Sequence, residues 1–337
     1  MGNDKTKIIN LALQGGGSHG AFTWGVLDRL LQDERLGFEG ISGASSGAIN
    51  AAVMACGFAK DGREGARNAL KNFWEVLSSQ NLFFPAALTS FGEPDHPFLD
   101  TYLALTRIFA PGQLNPLDMN PLRELVTESI EFEYLRNNCP IKLFIAATQV
   151  RTGKLKIFEN RDMSIDTLLA SACLPSIHHP VKINGESYWD GGIAGNPPVF
   201  PLIFNCSHTD IMIVVIHPLE IADTPTTVEE IRERTVDLGF NTAFLREMRA
   251  IAFCKNMIAG DWLASGKLHN KMKQSHIHLI RDQALASQYT SRSRYNTLPS
   301  FINLLYNEGH AAADVWLESN FGMIGKQSSV DLTSLFC

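Results

Sequence analysis

The stretch Phe38-Glu39-Gly40-Ile41-Ser42-Gly43-Ala44-Ser45-Ser46-Gly47-Ala48-Ile49-Asn50 sets a serine between two glycines, with a strand-like run ahead of it and small residues behind. A chain that turns from strand to helix this sharply has room only for glycine beside the serine, so the serine oxygen is pushed out at the end of a sheet. Ala48, Ile49, Ala51, Ala52, Val53, Met54 and Ala55 continue as an almost wholly apolar helix, which only a buried position explains. Ser45 then heads that helix, where unpaired amides favour the negative charge that develops when an ester carbonyl is attacked. An ordinary tight turn gives the same short motif. The buried helix behind it is what points to a nucleophile elbow.

The preceding segment is built the same way. Lys7 to Leu13 reads as a buried strand, Gln14-Gly15-Gly16-Gly17-Ser18-His19-Gly20 follows it, and a helix starts at Ala21. Glycines let backbone amides approach a bound anion closely. The G-K-[ST] of a phosphate loop is missing, so an oxyanion hole made by Gly15, Gly16, Gly17 and Ser18 is the better use of this loop next to an elbow.

Further on, Ile141 to Thr148 predicts a central strand, Leu155 to Phe158 a second one, and Ile165 to Cys173 a helix stopped by Pro175. Val181 to Trp189 alternates about Asn184-Gly185, a hairpin signal, and delivers Asp190-Gly191-Gly192. Ile211 to Ile216 is a continuous apolar run, as in a parallel strand covered on both faces. Thr226-Thr227-Val228-Glu229 has capping-box spacing and opens a helical region to about Trp262. Ile277 to Ile280 is a last strand, Leu298 to about Leu317 an amphipathic helix, and the tail after Phe321 reads as loose. Strands alternating with helices imply a three-layer α/β/α fold around a mostly parallel sheet, with ligands at the carboxyl ends of the strands.

With 45% hydrophobic residues in 337, the chain can build a large core. A formal charge of -6 without a basic run points away from nucleic acid and from electrostatic attachment to anionic lipid, which leaves apolar contact as the route to a transient membrane or lipid-surface encounter. Cys56, Cys139, Cys173, Cys206, Cys254 and Cys337 are scattered, as expected of reduced thiols in a cytoplasmic protein. Neither a signal region nor an apolar run long enough to span a bilayer is visible, while Gly2 with Thr6 fits the loose myristoylation pattern.

Gly15-Gly16-Gly17-Ser18-His19-Gly20, Gly43-Ala44-Ser45-Ser46-Gly47 and Asp190-Gly191-Gly192 together resemble the patatin-like phospholipase family, as does Ala170 to Pro175 leading to the hairpin. The resemblance covers about residues 7 to 216. It implies a lipid acyl hydrolase with a serine-aspartate dyad: Ser45 as nucleophile, Asp190 as base, the first glycine block as oxyanion hole, and neither metal nor organic cofactor. Gly43, Gly47, Gly191 and Gly192 support the motifs. His19 departs from the family, which commonly has Arg or Lys there, and a histidine is not reliably cationic at neutral pH.

These readings give one large domain: a core over 1–217 with a cap-like insertion at about 57–138, and a mainly helical extension over 218–337. The aromatic cluster from Leu82 to Phe109 reads as a cover over the acyl site or as ordinary packing. His217 follows Ser45 and Asp190 in the chain order of a Ser-Asp-His triad, so a triad esterase is the alternative mechanism. A non-catalytic lipid-binding protein of the same fold is the alternative function. His276 and His278 share one face of a strand without a third metal ligand, and His178-His179 belong to a loop before Pro180.

Overall fold

The computed structural model describes residues 6–80, 97–221, 223–260, 266–283, 289 and 291–337. Gly2, Phe83, Phe84 and Trp262, all singled out above, lie outside the described residues. Eight strands form one sheet: β1 (Lys7–Leu13), β2 (Leu36–Gly43), β3 (Lys142–Gln149), β4 (Leu155–Glu159), β5 (Val181–Ile183), β6 (Glu186–Asp190), β7 (Asp210–Val215) and β8 (His276–Arg281). Their order is β5-β6-β3-β2-β1-β7-β8, with β4 paired to β3. The pairs β1/β2, β1/β7, β2/β3 and β7/β8 are parallel, and the hairpins at the β3 end are antiparallel.

The central strands alternate between two cores, which makes the fold three-layered. Ile9, Leu11, Leu13, Met212 and Val214 face a core shared with α1 (Gly20–Gln32), α2 (Ser46–Gln80) and the helix Pro299–Asn320. Ala12, Ile211, Ile213 and Val215 face the opposite core, closed by Phe244, Met248 and Ile251 of the helix Val228–Gly260. Strands buried on both faces read as unbroken apolar runs, which is why β7 shows no alternation in sequence.

The helical run α2 breaks at Asp61 and Gly62, the latter at φ 56°. Its second half carries Leu70, Phe73, Trp74 and Leu77 into the same core as β1. Trp74 Nε1 donates to Asn50 Oδ1 at 2.9 Å and Asn50 Nδ2 to the Gly20 carbonyl at 2.9 Å, so both halves of α2 are tied to the start of α1. On its other side α1 meets the helix Pro299–Asn320 at backbone distance. A Cβ on Gly25 would lie 2.0 Å from the Tyr306 carbonyl oxygen, and one on Gly309 2.0 Å from that of Phe22. The helix Pro299–Asn320 thus clamps the helix that follows the glycine loop.

Two local expectations change. The cap of the helix Val228–Gly260 lies one residue on: Glu230 Oε2 accepts from Thr226 N at 2.9 Å and Thr227 N at 3.0 Å, and Thr227 Oγ1 accepts from Glu230 N at 3.3 Å. The tail is not loose. A short helix, Leu332–Phe336, buries Leu332 and Phe336, and the Phe336 ring meets Phe244 edge-on at 5.8 Å. Apolar anchors spaced four apart docked the chain end where the sequence showed no long helix.

Candidate active site

The sheet register brings Ser45 to Asp190. On one edge of β3, β2 pairs until Gly43 stands opposite Ile145. Two residues further along β3, Ala147 is opposite Asp190 of β6. Because β4 lies against β3 over Phe144 to Thr148 on the other edge, β2 and β6 occupy the same edge in succession. The chain leaves β2 at Gly43, and Ser45 turns into α2 where Asp190 ends β6.

Ser45 has φ 52°, a left-handed conformation costing a β-carbon-bearing residue roughly 1–2 kcal/mol. Its amide is pinned by Ser171, to the carbonyl at 3.1 Å and to Oγ at 3.0 Å. Glycine is required at both flanks by close approach: a Cβ on Gly43 would fall 2.6 Å from the Gly47 carbonyl oxygen, and one on Gly47 2.2 Å from that of Leu13. Gly191 is held likewise, 2.2 Å from the Ala146 carbonyl oxygen by the same construction, and Gly192 packs under the Phe240 ring.

Asp190 is fully buried. Its Oδ1 accepts from Gly192 N at 2.7 Å, and its backbone is fastened by the Thr148 hydroxyl at 2.7 Å and the Cys173 carbonyl at 2.8 Å. Oδ2 has no completed hydrogen bond. Burial pushes the carboxyl up to about 7, against the lowering pull of the Gly192 amide, the Ser45 hydroxyl and Arg294. The Ser45 hydroxyl thus favours the ionised form of this carboxyl.

The glycine loop is held from three sides. Asn196 takes both polar groups of Gly15, Oδ1 accepting from its amide at 2.6 Å and Nδ2 donating to its carbonyl at 3.2 Å. Gly16 N donates to Ser46 Oγ at 3.0 Å. Buried Gln14 ties the loop to β7 by accepting from Ile216 N at 2.8 Å and His217 N at 3.0 Å. Of the four amides expected to face an oxyanion, those of Gly15 and Gly16 are thus engaged, whereas those of Gly17 and Ser18 have no acceptor among the described residues. Gly17 has φ 60°, and a Cβ there would lie 2.5 Å from the Arg294 carbonyl oxygen.

The histidines fall into separate roles. His217 is buried, with Nε2 2.7 Å from the Gly15 carbonyl and Nδ1 3.2 Å from an Arg294 nitrogen. Burial, Arg294 and His19 hold it neutral, its pKa well below 6.5 despite the Gly15 carbonyl. His19 is pushed down to about 3 by burial and Arg294, and its Nε2 lies 2.8 Å from Ser293 Oγ. No cation comes from the loop itself. His276 Nδ1 and His278 Nε2 both meet Asp210 Oδ1, at 3.2 and 3.1 Å, at the amino ends of β7 and β8, whereas Ser45 follows the carboxyl end of the parallel strand β2. His179 Nε2 is 2.8 Å from the Asn115 carbonyl.

Arg294, Asn196, Ser46, Ser171 and Asp237 were not anticipated. Arg294 lies on a short 3-10 turn, Ser291–Tyr295, and is paired with Asp237 of the helix Val228–Gly260. Ser46 and Ser171 lie within stretches quoted above, but their roles as hydrogen-bond partners of Gly16 and Ser45 were not read there, and Arg294, Asn196 and Asp237 are joined to the site by the tertiary fold alone.

Ser45 opens into a cavity of about 760 Å³. Ile49, Phe73, Trp74, Leu77, Leu122 and Leu174 give it an apolar wall, and Leu103, Thr106 and Arg107 from the expected cover also line it. Apolar length beside a strained serine and a buried carboxyl suits an acyl chain.

Among proteins of known kind, the chain is 27% identical over 321 residues to the "cGAMP-activated phospholipase" of Escherichia coli (strain TW11681), covering 84% of this chain and 78% of that one. Among solved structures it is similar to VipD from Legionella pneumophila (TM-score 0.40, 13% identity, 92% of this chain and 67% of that chain). It is also similar to the ExoU-SpcU complex of Pseudomonas aeruginosa (TM-score 0.34, 16% identity, 98% of this chain and 74% of that chain). The model of the patatin-like phospholipase family matches residues 11–203, which takes in the glycine loop, the elbow and Asp190, and the chain belongs to that family.

Proposed function

We propose that this protein hydrolyses the acyl ester of a lipid through a Ser45-Asp190 dyad. The observation that carries the reading is Ser45 at positive φ, lining a cavity with an apolar wall, with a buried Asp190 whose pKa is raised to about 7 near it. A hydroxyl needs a base to take its proton, and a carboxyl lifted by burial is a base matched to neutral pH.

In this mechanism Ser45 Oγ attacks the ester carbonyl while its proton passes to Asp190 Oδ2. The tetrahedral oxyanion is stabilised by the open amides of Gly17 and Ser18, joined by that of Gly16 when the Ser46 hydroxyl turns aside. Collapse breaks the bond to the alcohol oxygen, which takes the proton from Asp190 and leaves an acyl-serine. Water then gives its proton to Asp190 and its oxygen to the acyl carbon. The acid is released as Ser45 regains a proton. No metal or organic cofactor enters these steps. His217, with both ring nitrogens engaged, supports the loop instead of serving as a triad base.

The test is covalent labelling of Ser45 by a fluorophosphonate together with hydrolysis of a short acyl ester. Labelling and turnover are expected in the parent and absent in Ser45→Ala, whereas equal turnover in both rejects the reading. The lipid-binding alternative predicts neither labelling nor turnover.

A second reading concerns control. The match to the E. coli relative spans more of this chain than the family model over 11–203, so it includes helices outside the catalytic core. On that ground we propose that a cyclic dinucleotide activates this protein too. Addition of cGAMP should raise ester turnover, and a response absent at saturating nucleotide rejects it.

A further inference from the structure

The wall of the Ser45 cavity is uneven in charge. Its lining combines apolar side chains of α2, Leu122 and Leu174 with Arg107, Arg232, Arg292 and Arg294. Among the described residues the lining sets one carboxylate, that of Glu233, against these four guanidinium groups. The asymmetry runs counter to the chain as a whole, which is acidic at -6. The arginines also come from three different segments: the stretch after the helix Pro97–Leu105, the first turns of the helix Val228–Gly260, and the turn Ser291–Tyr295. A charge run along one helix would be a solvated face, but convergence from three segments onto one cavity makes a local field.

The four are not equivalent. Arg294 is held against Asp237, and its charge reaches Asp190, His19 and His217. Arg107 and Arg232 are exposed at the lining, where their side chains can reach a group seated at the mouth. His178, also on the lining, is held neutral with its pKa near 4 by burial, so the positive charge here is that of the arginines.

We infer that the substrate is an amphiphile with an anionic phosphate headgroup, its acyl chain along the Phe73, Trp74 and Leu77 wall and its phosphate between Arg107 and Arg232. This rests on the acyl hydrolase reading and narrows it: a zwitterionic choline lipid carries its own countercharge and a neutral glyceride has nothing for a guanidinium to grip. Arginine is suited to the task, since its planar fork pairs two oxygens of a phosphate at once.

The experiment uses the full chain carrying Ser45→Ala, so that binding is read without turnover, and three non-hydrolysable alkyl-ether probes below their micelle concentrations. These are the lysophosphatidylglycerol, lysophosphatidylcholine and monoalkylglycerol analogues. The lysophosphatidylglycerol analogue should bind about two- to fivefold more tightly than either of the others, the yield of one exposed charge pair. Arg107→Gln and Arg232→Gln should each shrink that ratio, and raising salt should shrink it further. Equal binding of the three, or a preference untouched by both substitutions, overturns the inference. So does inorganic phosphate binding as tightly as the lipid analogue, or cGAMP occupying the site while the analogue does not, since either makes the arginines an anion or nucleotide site. Failure of the hydrolase reading shows separately, as parent protein that turns over no ester.

Discussion

His217 donates from Nε2 to the Gly15 carbonyl at 2.7 Å while an Arg294 nitrogen stands 3.2 Å from Nδ1. With both nitrogens engaged, the ring has no lone pair to offer Ser45. Its work is to hold the first glycine of the loop, whose α-carbon packs against the elbow: a Cβ on Gly15 would lie 2.6 Å from that of Ser45. His217→Gln keeps a donor for Gly15 and should therefore cost at most about tenfold in kcat/KM, the worth of one buried hydrogen bond. A collapse to the level of an Asp190 variant would restore the triad.

Asp190→Asn preserves Oδ1 for the Gly192 amide and removes only the proton acceptor. Turnover should fall by about a hundred- to ten-thousand-fold, the usual range for general-base loss, while labelling of Ser45 slows and the fold persists. Circular dichroism matching the parent together with near-parent turnover would exclude Asp190 as the base.

The same carboxyl fixes a pH dependence. Asp190 must be ionised to accept a proton, so kcat/KM should rise through pH about 7 and level off above it. For stability the sign is opposite. A folded-state pKa raised above the unfolded value means that the contribution of Asp190 is fully present below about pH 4 and is lost as pH rises through about 7. Asp190→Asn should accordingly raise the melting temperature at pH 8 by more than at pH 5. Thermal scans at the two pH values check this, and an equal shift at both would place the ionisation elsewhere.

Much of this site was legible in sequence because its geometry is local. Gly43-x-Ser45-x-Gly47 and Gly15-Gly16-Gly17 mark places where backbone meets backbone within a few residues, and Asn184 and Gly185, at φ 51° and 83°, mark the hairpin that presents Asp190. The strands were readable because β1 and β7 are apolar on both faces. What holds the loop was not readable. Asn196 grips Gly15 from 181 residues away and Arg294 reaches His217 from 77, and a lone Asn or Arg carries no periodicity or spacing to announce it. The docked tail escaped for a similar reason, since five helical residues with two apolar anchors look like any polar end.

Glycine 15 should be intolerant of even the smallest side chain. An alanine Cβ there would meet the Ala44 carbonyl oxygen at 2.3 Å, and backbone cannot rotate away as a side chain can. Gly15→Ala should abolish turnover and lower stability by a few kcal/mol, as overpacking does in a tight core. Gly153→Ala is the control: Gly153 has a positive φ, 68°, but nothing lies within 4 Å, so its cost should be confined to about 1 kcal/mol of backbone strain with activity retained. Equal losses in the two variants would mean that the close contact with the elbow is not what makes Gly15 necessary.

Arg294 joins the C-terminal turn to the chemistry, and two of its effects can be separated. Its side chain and that of Asp237 are largely buried against each other, so Arg294→Ala leaves a carboxylate without its partner and should destabilise the fold by roughly 3–5 kcal/mol. The same change removes a positive charge that lowers the Asp190 pKa, so the rising limb of the pH-rate profile should move to higher pH. The double variant Arg294→Gln with Asp237→Asn replaces the ion pair by two amides of matching shape. It should recover most of the stability while leaving the limb displaced, because no charge returns. Melting temperatures and kcat/KM between pH 5 and 9 for parent, single and double variants distinguish the effects. If the limb returns with stability in the double variant, Arg294 acts only by packing; if it stays displaced, its charge acts on the reaction centre.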